Sequence, residues 1–478
     1  MNDHEIMVDE NSMQDDDEEP VSPITVSSSS SSTCSHHHDD FVYDHQIHVQ
    51  PTTNDDNNDE TDHLIIPPVL EFGSLIPGIP KDASSLWTEK YIYDIGIIYR
   101  KMMIQVDAHR FERNFKLAHD ELIKAINLFP YQPEAYYKRA LIYFQTNNPK
   151  EMQRAINITK FVCRGHPFWS LLCEGYTCEV EQNFTKSREL YDQAYHVPKE
   201  RILTFYENTF NVSKQCATSL YDLFDVFSPF FAIFNEGCVM MDLQIEKEAI
   251  NTFQSAIDFL ENSAKNNVFH FLSEPQISKL ISMGKALCFN NMGCCALQFS
   301  TDHEALKYLC KGIEYSRKYV LVYENRMNLF SKLTMYASAV KDCDTVLSFA
   351  KNPDTLEKMH AERVVNIHRW IQHDAESCNY TYKDLDQLVA ELLNKYPKNH
   401  VLYLTKALIA VTLDEAVQVL TEGINMIDTP AVDSMFKLAS LLDFRSSMFE
   451  GMGETRKSNN DMRAVNRIGN LQLPCRIE

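Results

Sequence analysis

A histidine run near the N-terminus gathers several side chains that bind metals. His36 to His38 lie beside Cys34, Asp39 and Asp40, and imidazole with thiolate is a ligand set that suits Zn²⁺ or copper. The run stands in a polar, acidic stretch that offers nothing to preorganise ligand geometry, which a functional metal site needs. We therefore expect no metal site and no cofactor.

A second group of polar side chains falls on one long predicted helix. His360, Arg363 and His368 are interpreted as a solvated or groove-lining face rather than as ligands. The sequence contains none of the motifs G-x-x-x-x-G-K-S/T, G-x-G-x-x-G after a strand, G-x-S-x-G or H-E-x-x-H, which carry nucleotide binding, serine hydrolysis and zinc proteolysis. These observations favour a protein that is not an enzyme.

Charge is distributed unevenly along the chain. The formal net charge is −22 over 478 residues, but residues 1–80 contain 18 Asp or Glu and no Lys or Arg, which leaves only −4 for residues 81–478. An acidic chain gains no counterion-release energy from DNA or RNA, so no nucleic-acid partner is expected. Residues 1–80 also carry a serine run and little apolar surface, which predicts a disordered acidic tail.

Cysteine usage and hydropathy bear on the cellular compartment. The 13 cysteines follow no framework spacing, and several lie in apolar runs, as Cys238 and Cys288 do, which is typical of buried reduced thiols. The first residues lack the features of a signal peptide, and the apolar stretch from Val226 to Phe234 is too short to span a bilayer. We expect a cytoplasmic protein without membrane contact, the nucleus remaining open as a second location.

From about Ser84 onward the sequence predicts paired helices, and the scarcity of glycine, 13 in the whole chain, supports this. Small residues on both helices of a pair let the backbones approach, while a large apolar residue four positions later fills the gap to the next pair. A recurrence of such positions predicts a repeat array. Four sets share the spacings 12, 4 and 3: Gly237, Ala249, Phe253 and Ala256; Gly293, Ala305, Leu309 and Gly312; Met327, Ala339, Cys343 and Val346; Ser446, Ser458, Met462 and Val465.

The segment from Trp169 indicates which kind of repeat this is. Trp169, Leu172, Cys173 and Tyr176 resemble the first-helix motif W-x-x-L-G-x-x-Y of the tetratricopeptide repeat (TPR) family, with Cys in the Gly position. The resemblance implies an all-α fold, a right-handed α-solenoid of antiparallel helix pairs that forms a TPR-like superhelix.

The sequence divides into four parts. A disordered acidic tail (1–80) precedes N-terminal TPR-like units (81–200), central units (201–350) and degenerate C-terminal units (351–478). Roughly eight units are recognisable, with an irregular stretch at 201–228, a lengthened gap at 260–280 and a helix near Glu357 to His373 that is expected to pair with the helix from Tyr382.

One unit also resembles the TPR units of co-chaperones that bind Glu-Glu-Val-Asp tails through a two-carboxylate clamp. Asn291 and Asn325 match the Asn position on the first helix of those units. The clamp is incomplete, so recognition of an acidic C-terminal tail by a co-chaperone or regulatory subunit is kept as the alternative function. The mismatched positions hold Phe234 and Cys238, or Asn290 and Cys294 one unit later, with Leu321 in place of a Lys.

The function that the TPR resemblance implies is a non-catalytic adaptor or scaffold. A partner peptide or helix would lie in the concave groove that the first helices line. Aromatic, basic and amide side chains on those helices are the candidate contacts, and the identity of the protein partner stays open. The candidates are Tyr136, Lys138, Arg139, Asn235, Asn291, Asn325 and Arg326.

The acidic tail suggests a regulatory contact within the chain. We expect it to fold over basic parts of the superhelix and to compete with an acidic partner, more strongly after phosphorylation at Ser12 or Ser22. The basic residues considered for this contact are Arg110, Arg113, Lys116, Lys138 and Arg139.

Overall fold

The computed structural model describes residues 85–129, 132–146, 148–210, 212–299, 301–427 and 432–472, which form twenty α-helices and no strand. The predicted tail and its histidine run lie outside the described residues. The helices are α1 (Ser85–Phe111), α2 (Phe115–Leu128), α3 (Pro133–Gln145), α4 (Pro149–Val162), α5 (Trp169–Val180), α6 (Phe184–Tyr195), α7 (Lys199–Phe210), α8 (Lys214–Phe224), α9 (Ser228–Asp242) and α10 (Glu246–Lys265). They continue with α11 (Glu274–Phe299), α12 (Asp302–Tyr315), α13 (Val320–Lys332), α14 (Tyr336–Phe349), α15 (Pro353–His373), α16 (Tyr382–Lys395), α17 (His400–Leu408), α18 (Leu413–Met426), α19 (Val432–Gly451) and α20 (Thr455–Gln472).

The turn inside a helix pair has the same geometry at several places along the array. At the α5–α6 turn, Gln182 adopts a positive φ of 61°, and the amide of Asn183 donates to the carbonyl of Cys178 at 2.7 Å. This six-to-one hydrogen bond around a left-handed residue is the Schellman motif, which ends a helix and reverses the chain. The equivalent left-handed positions in other turns are Arg113, Gln244, Thr334 and Gly453.

Helix starts are fixed by polar caps that the sequence supplies. The side chain of Thr301 accepts from the amide of Glu304 at the start of α12, and Asn183 does the same for Lys186 in α6. At α16 the capping is reciprocal, because Thr381 and Asp384 each bond the other's backbone amide. Caps of this kind satisfy amides that no helical carbonyl can reach.

The small and large residues that recur at spacings of 12, 4 and 3 pack as the sequence predicts. Gly237 of α9 lies against Phe253 of α10, where a Cβ on the glycine would stand 2.7 Å from the ring. Gly293 of α11 lies against Leu309 of α12, again at 2.7 Å. The predicted all-α, TPR-like architecture of paired helices is therefore confirmed in the described part of the chain.

The array departs from a uniform stack in its first half. Helix α6 packs directly on α9, so the α7–α8 pair stands outside the regular succession and α8 packs against α1 instead. The segment between α10 and α11, in the predicted lengthened gap, places Phe269 and Leu272 in the core. The chain thus uses its irregular segments as internal packing.

Among the described helices α1 is the longest, with 27 residues, and it links distant parts of the array. Besides its neighbour α2 it packs against α8 and α11. Its last residue, Phe111, stacks on Tyr319 at the start of α13, with ring centroids 4.2 Å apart. Phe111 therefore belongs to the central apolar core that α11, α12 and α13 build.

Candidate partner-binding surface

Three asparagines mark the same position on successive first helices, and we call them the asparagine row: Asn235, Asn291 and Asn325. Asn291 Nδ2 on α11 lies 3.3 Å from Cys238 Sγ on α9. Asn325 Nδ2 on α13 lies 3.2 Å from Cys294 Sγ on α11. The amides of Asn291 and Asn325 therefore reach back to the first helix of the preceding pair and tie neighbouring units together.

The other contacts of the asparagine row are also internal. Asn235 Nδ2 donates to the hydroxyl of Tyr137 on α3 at 2.7 Å, and Asn325 Nδ2 donates to Asn290 Oδ1 at 2.9 Å. Burial raises the pKa of the Cys294 thiol to about 12, so this sulfur stays neutral at pH 7. The positions that would form a carboxylate clamp thus bond one another, and the bonds described for them include no lysine.

Lys138 was predicted to line the groove, but its side chain is 2% exposed. Its ammonium forms ion pairs with Asp107 of α1 and with Glu134, the latter at 3.4 Å, and it lies over the ring of Phe231 at 5.5 Å. Lys138 is therefore a core contact between α1 and α3 in this conformation.

Tyr136 and Arg139 flank this buried lysine on α3. Tyr136 is 8% exposed. Arg139 is half-buried and lies over the ring of Tyr143 at 5.6 Å, while its Nε donates to the Tyr143 hydroxyl at 3.3 Å. Their predicted role in partner binding stays a prediction, since these contacts are all within the chain.

The buried charged residues beside Lys138 are of types that occur in active sites, but the adjoining cavity is too small for a substrate. Arg100 Nη1 donates to Glu134 Oε2 at 2.6 Å, and its other nitrogens donate to the carbonyls of Leu223 and Phe224 at the end of α8. The cavity next to this cluster has a volume of about 10 Å³. That is the space of one water molecule, so a substrate has no room there.

The residues at the end of α1 also cover the face formed by the first helices, at the position of α13. Arg113 Nη2 lies 2.9 Å from Glu324 Oε2 on α13, and Lys358 Nζ of α15 lies 3.1 Å from the same oxygen. Burial by itself would raise the pKa of Glu324, but the two cations outweigh it and hold the pKa below its ordinary value. The face of first helices from α3 to α13 is therefore covered in part by the chain itself.

Arg326 was predicted as a partner contact, and the structure places it in an ion pair within its own hairpin. Its Nε and Nη2 donate to the two carboxylate oxygens of Asp342 at 2.9 and 2.7 Å. Arg445 and Asp461 form the same two bonds between α19 and α20, both at 2.8 Å. The spacing of 16 residues is identical in both pairs, so the sequence carries a signal for this ion pair in addition to the 12, 4 and 3 spacing.

An open depression of about 370 Å³ lies beside the first turns of α11 and the end of α12. Its polar groups include Lys285, whose Nζ is 2.6 Å from Glu261 Oε1 and 4.8 Å from the centroid of Tyr315. Burial by itself would lower the pKa of Lys285, but the bond to Glu261 prevails and the pKa is raised. This amine stays protonated at pH 7 and is a poor nucleophile.

Within the described ranges no group of three or more His, Cys, Asp or Glu side chains is arranged to hold a metal ion. His368 is buried rather than solvated, and its ring packs on Tyr382 at 6.2 Å. Burial lowers the pKa of His368 and of His360. Eleven cysteines in the described part of the chain are free thiols.

No single helix among the described residues has both the length and the apolar character to cross a membrane. One pair, α8 with α9, meets these criteria jointly and is bent by 41° between its two helices.

Exposed apolar side chains gather in the C-terminal helices. Val411, between α17 and α18, is 92% exposed, and Phe436 on α19 is 58% exposed. Leu408 and Leu413 flank Val411 and are also exposed. We call Leu408, Val411 and Leu413 the apolar turn. Large apolar groups in water favour contact with another surface.

No protein-family model matches the sequence, and no curated protein matches it. Among solved structures, this one is similar to a tetratricopeptide repeat protein from Parabacteroides merdae, with 14% identity, coverage of 64% of this chain and 94% of that chain, and a TM-score of 0.38. It is also similar to the apo quorum sensor NprR from B. thuringiensis (12% identity, 80% and 99% coverage, TM-score 0.42). A third is human IFIT1, in a dimer with m7Gppp-AAAA (11% identity, 79% and 95% coverage, TM-score 0.30).

These similarities are low, so the class of protein rests on the helix pairing within the chain. Trp169, Leu172 and Tyr176 of the TPR-like motif are buried in α5, and Ser187 and Tyr191 of α6 pack beside them. In its described part the chain is an all-helical repeat protein with a TPR-like fold. Its described part combines regular helix pairs with a long first helix that spans several of them.

Proposed function

We propose that the protein is a non-catalytic interaction scaffold that binds a peptide or helix of another protein. The groove lined by the first helices α15, α17 and α19 would receive this partner, with the apolar turn and Phe436 as anchors. The observation that carries the proposal is the exposure of these apolar side chains on consecutive elements of a repeat array. Repeat arrays offer extended surfaces of this kind, and buried aromatic and aliphatic anchors supply most of the binding energy.

The C-terminal helices are favoured because other segments of the chain cover part of the first helices in the N-terminal half. There, α1, Phe269 and Leu272 pack against the elements that would otherwise line a groove. The cationic and carboxylate groups near that face, such as Lys138, Arg113 and Glu324, already have partners. In α17 to α19 the exposed groups include the apolar turn and Phe436, and these side chains can gain free energy when a partner covers them.

A non-catalytic role is supported by the state of the reactive groups. The buried cluster at Arg100 and Glu134 adjoins a cavity for one water molecule only, and Lys285 in the open depression is protonated. Catalytic acids, bases and nucleophiles usually combine a shifted pKa with access to a substrate. Neither of these two groups combines both properties.

The test is affinity purification of the full chain from the native cell extract, with bound proteins identified by mass spectrometry. The variant Leu408→Asp/Val411→Asp/Phe436→Asp should lose the specific partner, because charge at the anchors removes the gain from burial. The matched control places the same changes on exposed apolar residues of α2 and α4, Leu117→Asp/Ile123→Asp/Phe161→Asp, and should keep the partner.

Urea unfolding of both triple variants shows whether a loss of partner binding is caused by unfolding of the variant. Recovery of the same partner by both variants would refute the proposed surface. Turnover of a substrate by the purified chain in hydrolase, transferase and redox screens would refute the non-catalytic role.

A further inference from the structure

The outer face of α20 carries a row of arginines. Arg456, Asn460, Arg463 and Arg467 are exposed, and their spacings of four, three and four place them on one side of the helix. The opposite side is buried against α19, where Ser458 bonds Ser446 and Asp461 pairs with Arg445. No described helix follows α20, so this face has no neighbouring unit in the described chain. We call Arg456, Arg463 and Arg467 the arginine face.

The arginine face is uncompensated in charge. The acidic residue of α20, Asp461, is buried and forms an ion pair with Arg445. Among the described residues no carboxylate lies within 4.0 Å of the arginine face, whereas Arg326, Arg363 and Arg445 elsewhere each pair with an aspartate. Like charges one turn apart on a helix repel each other, so an anion that binds across the row relieves this repulsion.

Most of the basic residues that the sequence suggests as a target for the acidic tail are paired within the folded part. Arg110 bonds Asp107, Arg113 bonds Glu324, and Lys138 bonds Asp107 and Glu134. Their positive charge is therefore already balanced by carboxylates of the array. The arginine face remains as a row of exposed, unpaired guanidinium groups on a single described helix.

The same chain contains a segment of complementary charge. Residues 1–80 hold 18 acidic and no basic residues, with clusters at Asp15 to Glu19 and at Asp55 to Glu60. We propose that the arginine face of α20 binds the acidic cluster from Asp55 to Glu60 of its own chain. Guanidinium groups suit this task because they bond carboxylates in a two-pronged geometry.

The length of the N-terminal segment is sufficient for this contact. Helix α1 has 27 residues and is therefore about 40 Å long at 1.5 Å per residue. Its C-terminal end lies at α13, and the helices from α13 to α20 add roughly 40 Å at about 10 Å per packed pair. The chain from Asp55 to Ser85 can extend to about 100 Å, which exceeds the combined path.

The contact is electrostatic and exposed, so its strength depends on salt and on the tether. A covalent tether holds the two charged groups at a high effective concentration, whereas exposed ion pairs between separate molecules are weak. Salt shortens the reach of the interaction from about 10 Å at 0.1 M to about 3 Å at 1 M. The bound segment would cover the last helix against acidic partners. This inference does not depend on the proposed partner surface at α17 to α19.

The experiment uses zero-length carboxyl-to-amine coupling of the full chain, followed by mass spectrometry. Lys457 of α20 supplies the amine next to the arginine face, and its coupling to the neighbouring Glu454, 3.2 Å away, is an internal reference. Coupling of Lys457 to a carboxylate of the cluster from Asp55 to Glu60 is expected in low salt. Its yield should fall about tenfold in 1 M NaCl, since exposed charges are then screened.

The variant Arg456→Glu/Arg463→Glu/Arg467→Glu should lose this coupling to the same extent. The matched control, Arg164→Glu/Arg201→Glu/Arg317→Glu, changes exposed arginines elsewhere by the same charge and should keep it. Circular dichroism and urea unfolding verify that both variants are folded.

Three results would overturn the proposal. Equal coupling in the two variants, or none in the unmodified chain, would separate the arginine face from the segment. Coupling found only between ¹⁴N- and ¹⁵N-labelled chains in a mixture would assign the contact to a second copy. Binding of a labelled single-stranded RNA that requires the arginine face, without coupling to the segment, would assign the face to nucleic acid.

Discussion

Arg326 donates two hydrogen bonds to Asp342, from Nε to Oδ2 at 2.9 Å and from Nη2 to Oδ1 at 2.7 Å. The pair joins α13 to α14, and its counterpart Arg445–Asp461 joins α19 to α20. In both hairpins the arginine precedes the first residue of the 12, 4 and 3 spacing, and the aspartate precedes the third. The ion pair is thus a repeat feature of the hairpin.

Removal of this carboxylate should destabilise the hairpin. Asp342→Ala leaves the half-buried guanidinium of Arg326 without its partner, and we expect a loss of about 2 kcal/mol in the free energy of unfolding. Urea denaturation followed by circular dichroism measures it. Asp302→Ala, which breaks the exposed pair with Lys332, should cost less than about 0.5 kcal/mol. Equal losses in the two variants would contradict the buried character of the Arg326 pair.

The close approach of paired helices at the small residues predicts that a larger residue at these positions destabilises the protein. Gly237→Ala and Gly293→Ala each place a methyl group 2.7 Å from a core side chain, Phe253 or Leu309, and should destabilise by about 1–3 kcal/mol. Gly469→Ala meets no atom within 4 Å and should stabilise α20 by up to about 1 kcal/mol. Thermal unfolding compares the three variants. A neutral result at Gly237 would contradict the close approach of α9 and α10.

The buried carboxylate of Asp225 predicts a pH dependence. It accepts from Trp169 Nε1 at 2.9 Å, and His166 Nε2 lies 3.4 Å away. Burial alone would raise the pKa of Asp225, but His166 and the hydrogen-bond donors outweigh it and lower the pKa. The stabilisation is therefore present above the unfolded value of about 3.9 and is lost as the pH falls through the folded value.

Asp225→Asn tests this pH dependence. The variant should be less stable at pH 7 by about 2 kcal/mol, since an amide cannot replace both acceptor oxygens. The difference from the unmodified chain should shrink in urea titrations carried out at pH 4 and pH 3. A constant difference across this range would show that the charge of Asp225 does not contribute.

The contact between Arg113 and Glu324 predicts that its loss loosens the end of α1 locally. Arg113→Ala removes one of two cations from a carboxylate that is 3% exposed, and the end of α1 should then separate more readily from α13. Amide hydrogen exchange in residues 104–111 should accelerate about tenfold. Lys318→Ala, at the exposed pair with Glu112, should leave the exchange nearly unchanged. Unaltered exchange in Arg113→Ala would mean that Phe111 and Tyr319 hold the contact alone.

Local pattern was sufficient to predict the regular part of the fold. The spacing of Gly237 to Phe253 and of Gly293 to Leu309 describes contacts between helices that are adjacent in sequence, and such contacts leave a short-range periodicity. The helix from Pro353 to His373 does pack against α16, as predicted. These features depend on neighbours within about 40 residues, so a single sequence records them.

Contacts between distant segments left no such record. The stacking of Phe111 on Tyr319 and the pairing of Arg113 with Glu324 join residues more than 200 positions apart, and nothing in their local sequence names the partner. Lysine is a residue type that usually lies on the surface, but Lys138 is buried because Asp107 of α1 pairs with its ammonium group. The candidate residues lie on α3, α9, α11 and α13, while the accessibility of Lys138 depends on a helix that is distant in the sequence.

The path of α1 has a consequence for how the chain denatures. Because α1 touches α2, α8, α11 and α13, rupture of any of these interfaces exposes apolar surface on the others, and this portion should melt as a single cooperative block. The pairs from α15 to α20 adjoin chiefly their sequence neighbours and should fray stepwise from the C-terminal end, as one-dimensional arrays do. One polypeptide therefore combines two kinds of cooperativity, with the proposed anchors in the part that opens at lower cost.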